Sequence, residues 1–199
     1  WACLARLGFA ASEAGDQRRG RLLVERALHQ RPQAPYVIHS YAHVLHDQGK
    51  PGESLELLGN WLDEYRESAE GGAMYGHVQW HLAVAEWQLG RVGQAWQRYE
   101  RYCAPETTRC GPVLTLADCG GFLLREYLRT GVTRPVSAAV SALYSRFGSM
   151  ISHPFVALHL AGIQASAGDL AALEKTRAAI ETAESGDQAR LALRLVEAI

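Results

Sequence analysis

Five of the chain's eight histidines fall in two short segments. His39 to Gly49 reads HSYAHVLHDQG, and Gly76 to Gly90 reads GHVQWHLAVAEWQLG. His39 and His43 stand four residues apart, as do His77 and His81, and His46 follows His43 by three. On an α-helix those intervals put side chains on one face. An H-x-x-x-H pair lets two imidazoles reach one zinc-type ion. His39, His43, His77 and His81 are therefore candidate ligands for a divalent metal, with Asp118 as a further ligand or general base. Asp47 and Glu86 are the sequence-near carboxylates for orienting the imidazoles. The H-E-x-x-H metalloprotease motif is missing, because Ser40 follows His39 and Val78 follows His77. Two other roles suit the same spacing. Neutral histidines and tryptophans can line a pocket for a peptide or small molecule, or they can pack between helices with each ring hydrogen-bonded to a neighbour.

The elements that must position these rings recur along the chain. Gly15, Gly49, Gly90, Gly131 and Gly168 each follow one amphipathic run and precede another, at intervals of 34, 41, 41 and 37 residues. A helix–turn–helix period of about 34 residues is the tetratricopeptide signature. In the first unit Leu4, Leu7, Gly8, Gly15, Gly20, Val24, Ala27 and Pro32 fit it. Small residues at Gly8 and Gly20 allow close helix approach, Gly15 supplies a left-handed helix end, and Pro32 stops the second helix. Later units keep Ala42, Leu45, Leu82, Ala83, Leu124, Leu160 and Ala161, whereas Gln79 and Glu86 stand where large apolar residues are expected. A second helix is predicted to start near Pro135, and Asp169 is the expected N-cap of another. The run Asp187 to Ile199 reads as a helix closing the stack. Ser68 to Gly72 and Pro105 to Pro112 lengthen two connections without being domain linkers. Strand patterns are nearly absent, since no run of four to eight residues alternates cleanly with β-branched enrichment. The expectation is one all-α domain over residues 1–199, a tetratricopeptide-like right-handed superhelix of about five helix pairs plus a closing helix.

In such a stack the first helix of each pair lines the concave face. Counting back from the turn glycines puts His39, His43 and His46 at positions 5, 9 and 12, within an arc of about 60°. His77, Trp80, His81 and Trp87 take positions 2, 5, 6 and 12 of the next unit. Asp118 and Arg125 take positions 2 and 9 of the fourth, and His159 position 6 of the fifth. The predicted ligand-binding set is thus His39, His43, His46, His77, Trp80, His81, Trp87, Asp118, Arg125 and His159, with Tyr41 as an additional apolar wall.

Composition narrows the classes. Twenty basic against twenty-one acidic residues leave a formal charge of −1, with no basic block for nucleic acid. No apolar run approaches the roughly 20 residues that span a membrane. The chain starts at Trp1 and is expected to be a fragment of a longer one. Cys3, Cys103, Cys110 and Cys119 form no C-x-x-C pair and read as reduced thiols of a cytoplasmic protein. Cys119 beside Asp118 is a weaker reactive-thiol candidate. Gln17 to Arg21 reads as a solvated face, and Trp96, Tyr99 and Tyr102 as core at helical spacing. Gly120 and Gly121 signal a kink or a close approach. No P-loop, G-x-G-x-x-G or G-x-S-x-G occurs.

Together, HSYAHVLHDQG, GHVQWHLAVAEWQLG, VLTLADCGGFLLREYLRTG and FVALHLAGIQASAGD resemble the tetratricopeptide repeat protein 38 family over residues 5–180 or so. His39, His43, His77, Trp80, His81 and His159 match its pattern. Asp118 matches with a spacing to Gly131 one residue longer, and Gly76 stands where the family often has Cys. The resemblance implies a soluble all-helical repeat protein with a further helical N-terminal portion, and it carries no settled activity. The function expected is a non-catalytic binding module whose His/Trp-lined groove takes a peptide or small ligand. The alternative is a metal-binding protein or metal-dependent enzyme.

Overall fold

The computed structural model describes residues 1–65, 72–148, 154–183 and 187–197. The chain is 79% helical, with eleven helices and no strand among the described residues. It forms two compact units, Trp1–Cys103 with Thr107–Cys110, and Ala104–Glu106 with Gly111–Ile199. No described helix is long and apolar enough to cross a membrane.

The first unit holds α1 (Ala2–Glu13), α2 (Gln17–Gln30), α3 (Pro35–Asp47), α4 (Pro51–Glu64), α5 (Tyr75–Gln88) and α6 (Val92–Tyr102). Helices α1 and α2 pack together, as do α3 and α4, and α5 and α6; in addition α1 contacts α3, and α3 contacts α5. Three turns of the unit share one hydrogen-bond pattern. Gly15, Gly49 and Gly90, at φ of 91°, 64° and 78°, donate back to Ser12, His46 and Trp87, while the next residue's N–H reaches Ala11, Leu45 and Glu86. This is the Schellman closure, and only a glycine enters its left-handed position without a Cβ penalty. Gly8 and Gly20 face each other across α1 and α2: a Cβ on either would stand 2.9 Å from the other's carbonyl oxygen. Pro35 and Pro51 open α3 and α4, where the missing N–H costs nothing. The segment 66–71, including most of the predicted Ser68–Gly72 extension, lies outside the described residues.

The second unit holds α7 (Pro112–Thr130), α8 (Ala138–Phe147), α9 (Pro154–Ser166), α10 (Leu170–Ala183) and α11 (Asp187–Glu197). Helix α7 runs unbroken through Gly120 and Gly121, so the pair marks a close approach and no interruption. A Cβ on Gly120 would overlap the His159 carbonyl, and one on Gly162 would lie 2.5 Å from the Gly120 oxygen. Gly131 closes α7 by a single bond to Tyr127, at 2.7 Å. Helix α8 starts three residues beyond Pro135, because the Ser137 hydroxyl accepts from the Val140 N–H and caps the helix there. Asp169 caps α10 as expected, accepting from Ala172 N–H at 3.0 Å. Ala157, Ala161, Ile180, Ala192 and Val196 join α9, α10 and α11 in one apolar cluster.

Candidate metal centre

Helical phase brings the histidines together. On α3, Ile38 and Ala42 enter the core, and the residue after each is His39 and His43. On α5, Val78 and Leu82 enter the same core, and the residue before each is His77 and His81. A step of 100° in opposite senses turns the two imidazole pairs away from the shared apolar seam and toward each other. Residues 75–86 of α5 are buried on every side, which takes His77 and His81 deep into the unit.

The four rings each offer one nitrogen, and these nitrogens all lie within 4.8 Å of one another. His39 Nε2 is 3.1 Å from His43 Nε2 and 3.0 Å from His77 Nε2. A neutral imidazole nitrogen carries one proton or one lone pair, so a single His39 atom cannot serve both partners fully. His81 Nε2 and His39 Nδ1 are buried with no hydrogen-bond partner. Each orphan costs about 1–3 kcal/mol. Around an ion about 2.05 Å from each nitrogen, tetrahedral ligands stand roughly 3.3 Å apart and right-angled ones roughly 2.9 Å. The two separations at His39 Nε2, 3.0 and 3.1 Å, fall between these values, while the four nitrogens as a set spread over up to 4.8 Å.

Two of the rings, His39 and His81, are held neutral, the state that ligates. Burial, reinforced by His77 and His43, pushes His39 down to about 2. Burial pushes His81 well below its ordinary value, and His43, His77, His39 and His46 add to the effect. The surroundings are aromatic. Phe9 of α1 meets His43 edge-on at 4.8 Å, and Trp80 stacks on His77 at 5.7 Å with planes 9° apart. Tyr36 lies 6.0 Å from His39. The nearby carboxylate is Glu13, whose Oε1 stands 3.7 Å from His43 Nδ1. His43 and then His46 hold the Glu13 carboxyl below the usual range, against the effect of burial. Neither Glu13 nor Phe9 belongs to a histidine segment, and no spacing signal in the sequence points to them.

Other predicted residues have different places. Asp47 accepts from the Ser12 hydroxyl at 2.6 Å, and Glu86 is held bidentately by Arg98, so the two expected orienting carboxylates are engaged elsewhere. His46 is exposed and faces Gln88 Nε2 at 3.2 Å through its Nδ1. Trp87 lies edge-on to Trp96 at 6.3 Å. Tyr41 turns from the predicted groove wall into the core, where its hydroxyl donates to Glu25 at 2.7 Å. Asp118, Arg125 and His159 belong to the second unit. Asp118 is buried there on α7, and its charge partly offsets the burial that lowers the Arg125 guanidinium. Arg125 donates to the Gly121 carbonyl at 2.9 Å. The four cysteines are free thiols.

Comparison of the chain with protein-family models, curated proteins and solved structures finds no match.

Proposed function

We propose that the chain binds a divalent first-row transition-metal ion through His39, His43, His77 and His81. The observation that carries the reading is the convergence of four imidazole nitrogens within 4.8 Å, on rings of which His81 keeps a buried Nε2 with no partner. A cation at that point takes up lone pairs that hydrogen bonding among the rings leaves unused. An all-imidazole donor set suits zinc, copper, nickel or iron, and does not suit magnesium or calcium. Glu13 supplies the negative charge beside the set, as a carboxylate behind a ligating histidine does in metal sites generally. A peptide groove calls for side chains splayed along an open face, and a purely structural cluster calls for satisfied nitrogens. The convergence and the orphan nitrogen favour the metal over both.

The frame is proposed to be tetratricopeptide-like. The repeated glycine closures, the Gly8–Gly20 approach and the neighbouring first helices α1, α3 and α5 support that reading. Four free thiols suit a reducing, cytoplasmic setting.

Elemental analysis of purified, untagged protein tests the metal. The reading predicts about one ion per chain, lost in the His43→Ala/His81→Ala variant. Metal-free protein that also takes up no zinc, copper, nickel or iron in titration contradicts it.

A further inference from the structure

A cleft of about 460 Å³ opens on the first unit beside α5 and α6, separate from the histidines. Arg91, Gln94, Arg98 and Arg101 line it, with Gln97, and Glu86 lies among them. The first four stand at intervals of three, four and three along α6 and its N-cap, so they share a helix face.

Arg98 is fixed from beneath. Its Nε and Nη2 donate to Glu86 at 3.0 and 2.8 Å, and its Nη1 donates to Gln79 Oε1 at 2.7 Å. Gln79 Nε2 in turn donates to the Tyr75 hydroxyl at 3.0 Å. Gln79 and Glu86 are the polar residues that break the repeat's apolar pattern, and both are buried. Burying them costs desolvation, and what they achieve is one guanidinium held in a set orientation. Three of its five N–H donors are used, which leaves one on each terminal nitrogen. Arg91 and Arg101 are exposed, and their side chains have no ion pair or hydrogen bond among the described residues. Arg101 lies over the Tyr102 ring at 5.2 Å. Glu86 offsets Arg98, so the cleft keeps two unpaired positive charges.

We infer that this cleft binds a small molecule carrying a phosphate group. A phosphomonoester brings close to two negative charges at neutral pH, which matches Arg91 and Arg101. Guanidinium forks suit its oxygens. The two glutamines add amide donors, and Tyr102 gives an aromatic surface for the organic part. The volume is that of a small-molecule site. The inference does not depend on the metal, because the cleft and the histidine cluster share no residue.

The test is calorimetric titration with phenyl phosphate at about 0.15 M salt, alongside Arg91→Gln/Arg101→Gln and Arg98→Lys. The double variant removes exposed charges and is expected to fold as the parent does. Arg98→Lys keeps a cation against Glu86 and loses the fork. Saturable binding by the parent, weakened at least tenfold in both variants with helicity unchanged in both and Tm unchanged in the double variant, is the expected result. No saturable binding by the parent, or equal affinity in the double variant, overturns the inference.

Discussion

His39 Nε2 lies 3.0 Å from His77 Nε2, although the two residues are 38 apart in the chain and sit on different helices. The same atom is 3.1 Å from His43 Nε2. His39 is therefore the hub of the cluster, and removing it takes away the nitrogen that two others face.

This hub position orders the single variants. His39→Ala is expected to weaken metal binding most, and His46→Ala least, since His46 is exposed and lies outside the converging four. Competition against a chelator of known affinity measures the order. A His46→Ala loss as large as that of His39→Ala would count against the assigned ligand set.

In the proposed metal site Glu13 would position His43, whose Nδ1 lies 3.7 Å from its Oε1. Glu13→Gln is expected to lower metal affinity about 10- to 100-fold, the usual effect of losing a carboxylate behind a ligating histidine. Glu13→Asp, which keeps the charge on a shorter arm, is expected to lose less. Unchanged affinity in Glu13→Gln would mean that the 3.7 Å contact to His43 Nδ1 has no part in binding.

Acid should destabilise the metal-free protein in a defined direction. His39 is held down to about 2 in the fold and His81 well below its ordinary value, so both stay neutral while the unfolded chain protonates near pH 6.5. Their contribution is complete above about pH 6.5 and falls as pH drops below it, by up to about 1.4 kcal/mol per pH unit for each group. Urea unfolding at pH 7.5, 6.5 and 5.5 reads the slope. Stability that rises on acidification through this range would contradict the assignment of neutral, buried rings.

Two glycine substitutions should move stability in opposite directions. A Cβ at Gly120 overlaps the His159 carbonyl, so Gly120→Ala is expected to cost about 2–3 kcal/mol or more. Gly59, inside α4, has nothing within 4 Å of its would-be Cβ, so Gly59→Ala is expected to stabilise by about 0.5–1 kcal/mol. Thermal unfolding of both variants checks the contrast.

The parts of the structure legible in the sequence are those set by local rules. Gly15, Gly49 and Gly90 announce their turns because a left-handed backbone excludes most other residues. The i, i+4 histidine pairs announce a shared helix face, and the helical period identifies α3 and α5 as the bearers. Partner choice between side chains was not legible. Glu13 reaches His43 from α1, thirty positions earlier, without any motif linking them. Tyr41 could face a groove or the core, and only the packing of Val24, Val44 and Leu45 around it decides for the core. Gln79 and Glu86 could be noticed as misfits, but their purpose depends on Arg98 from the next helix.

X-ray absorption at the metal edge, on protein reconstituted with one equivalent of zinc or copper, tests the central claim most directly. The account predicts a first shell of nitrogen at about 2.0–2.1 Å, with the outer-shell scattering of three or four imidazole rings. A first shell of sulfur, or of oxygen with one imidazole or none, would contradict it.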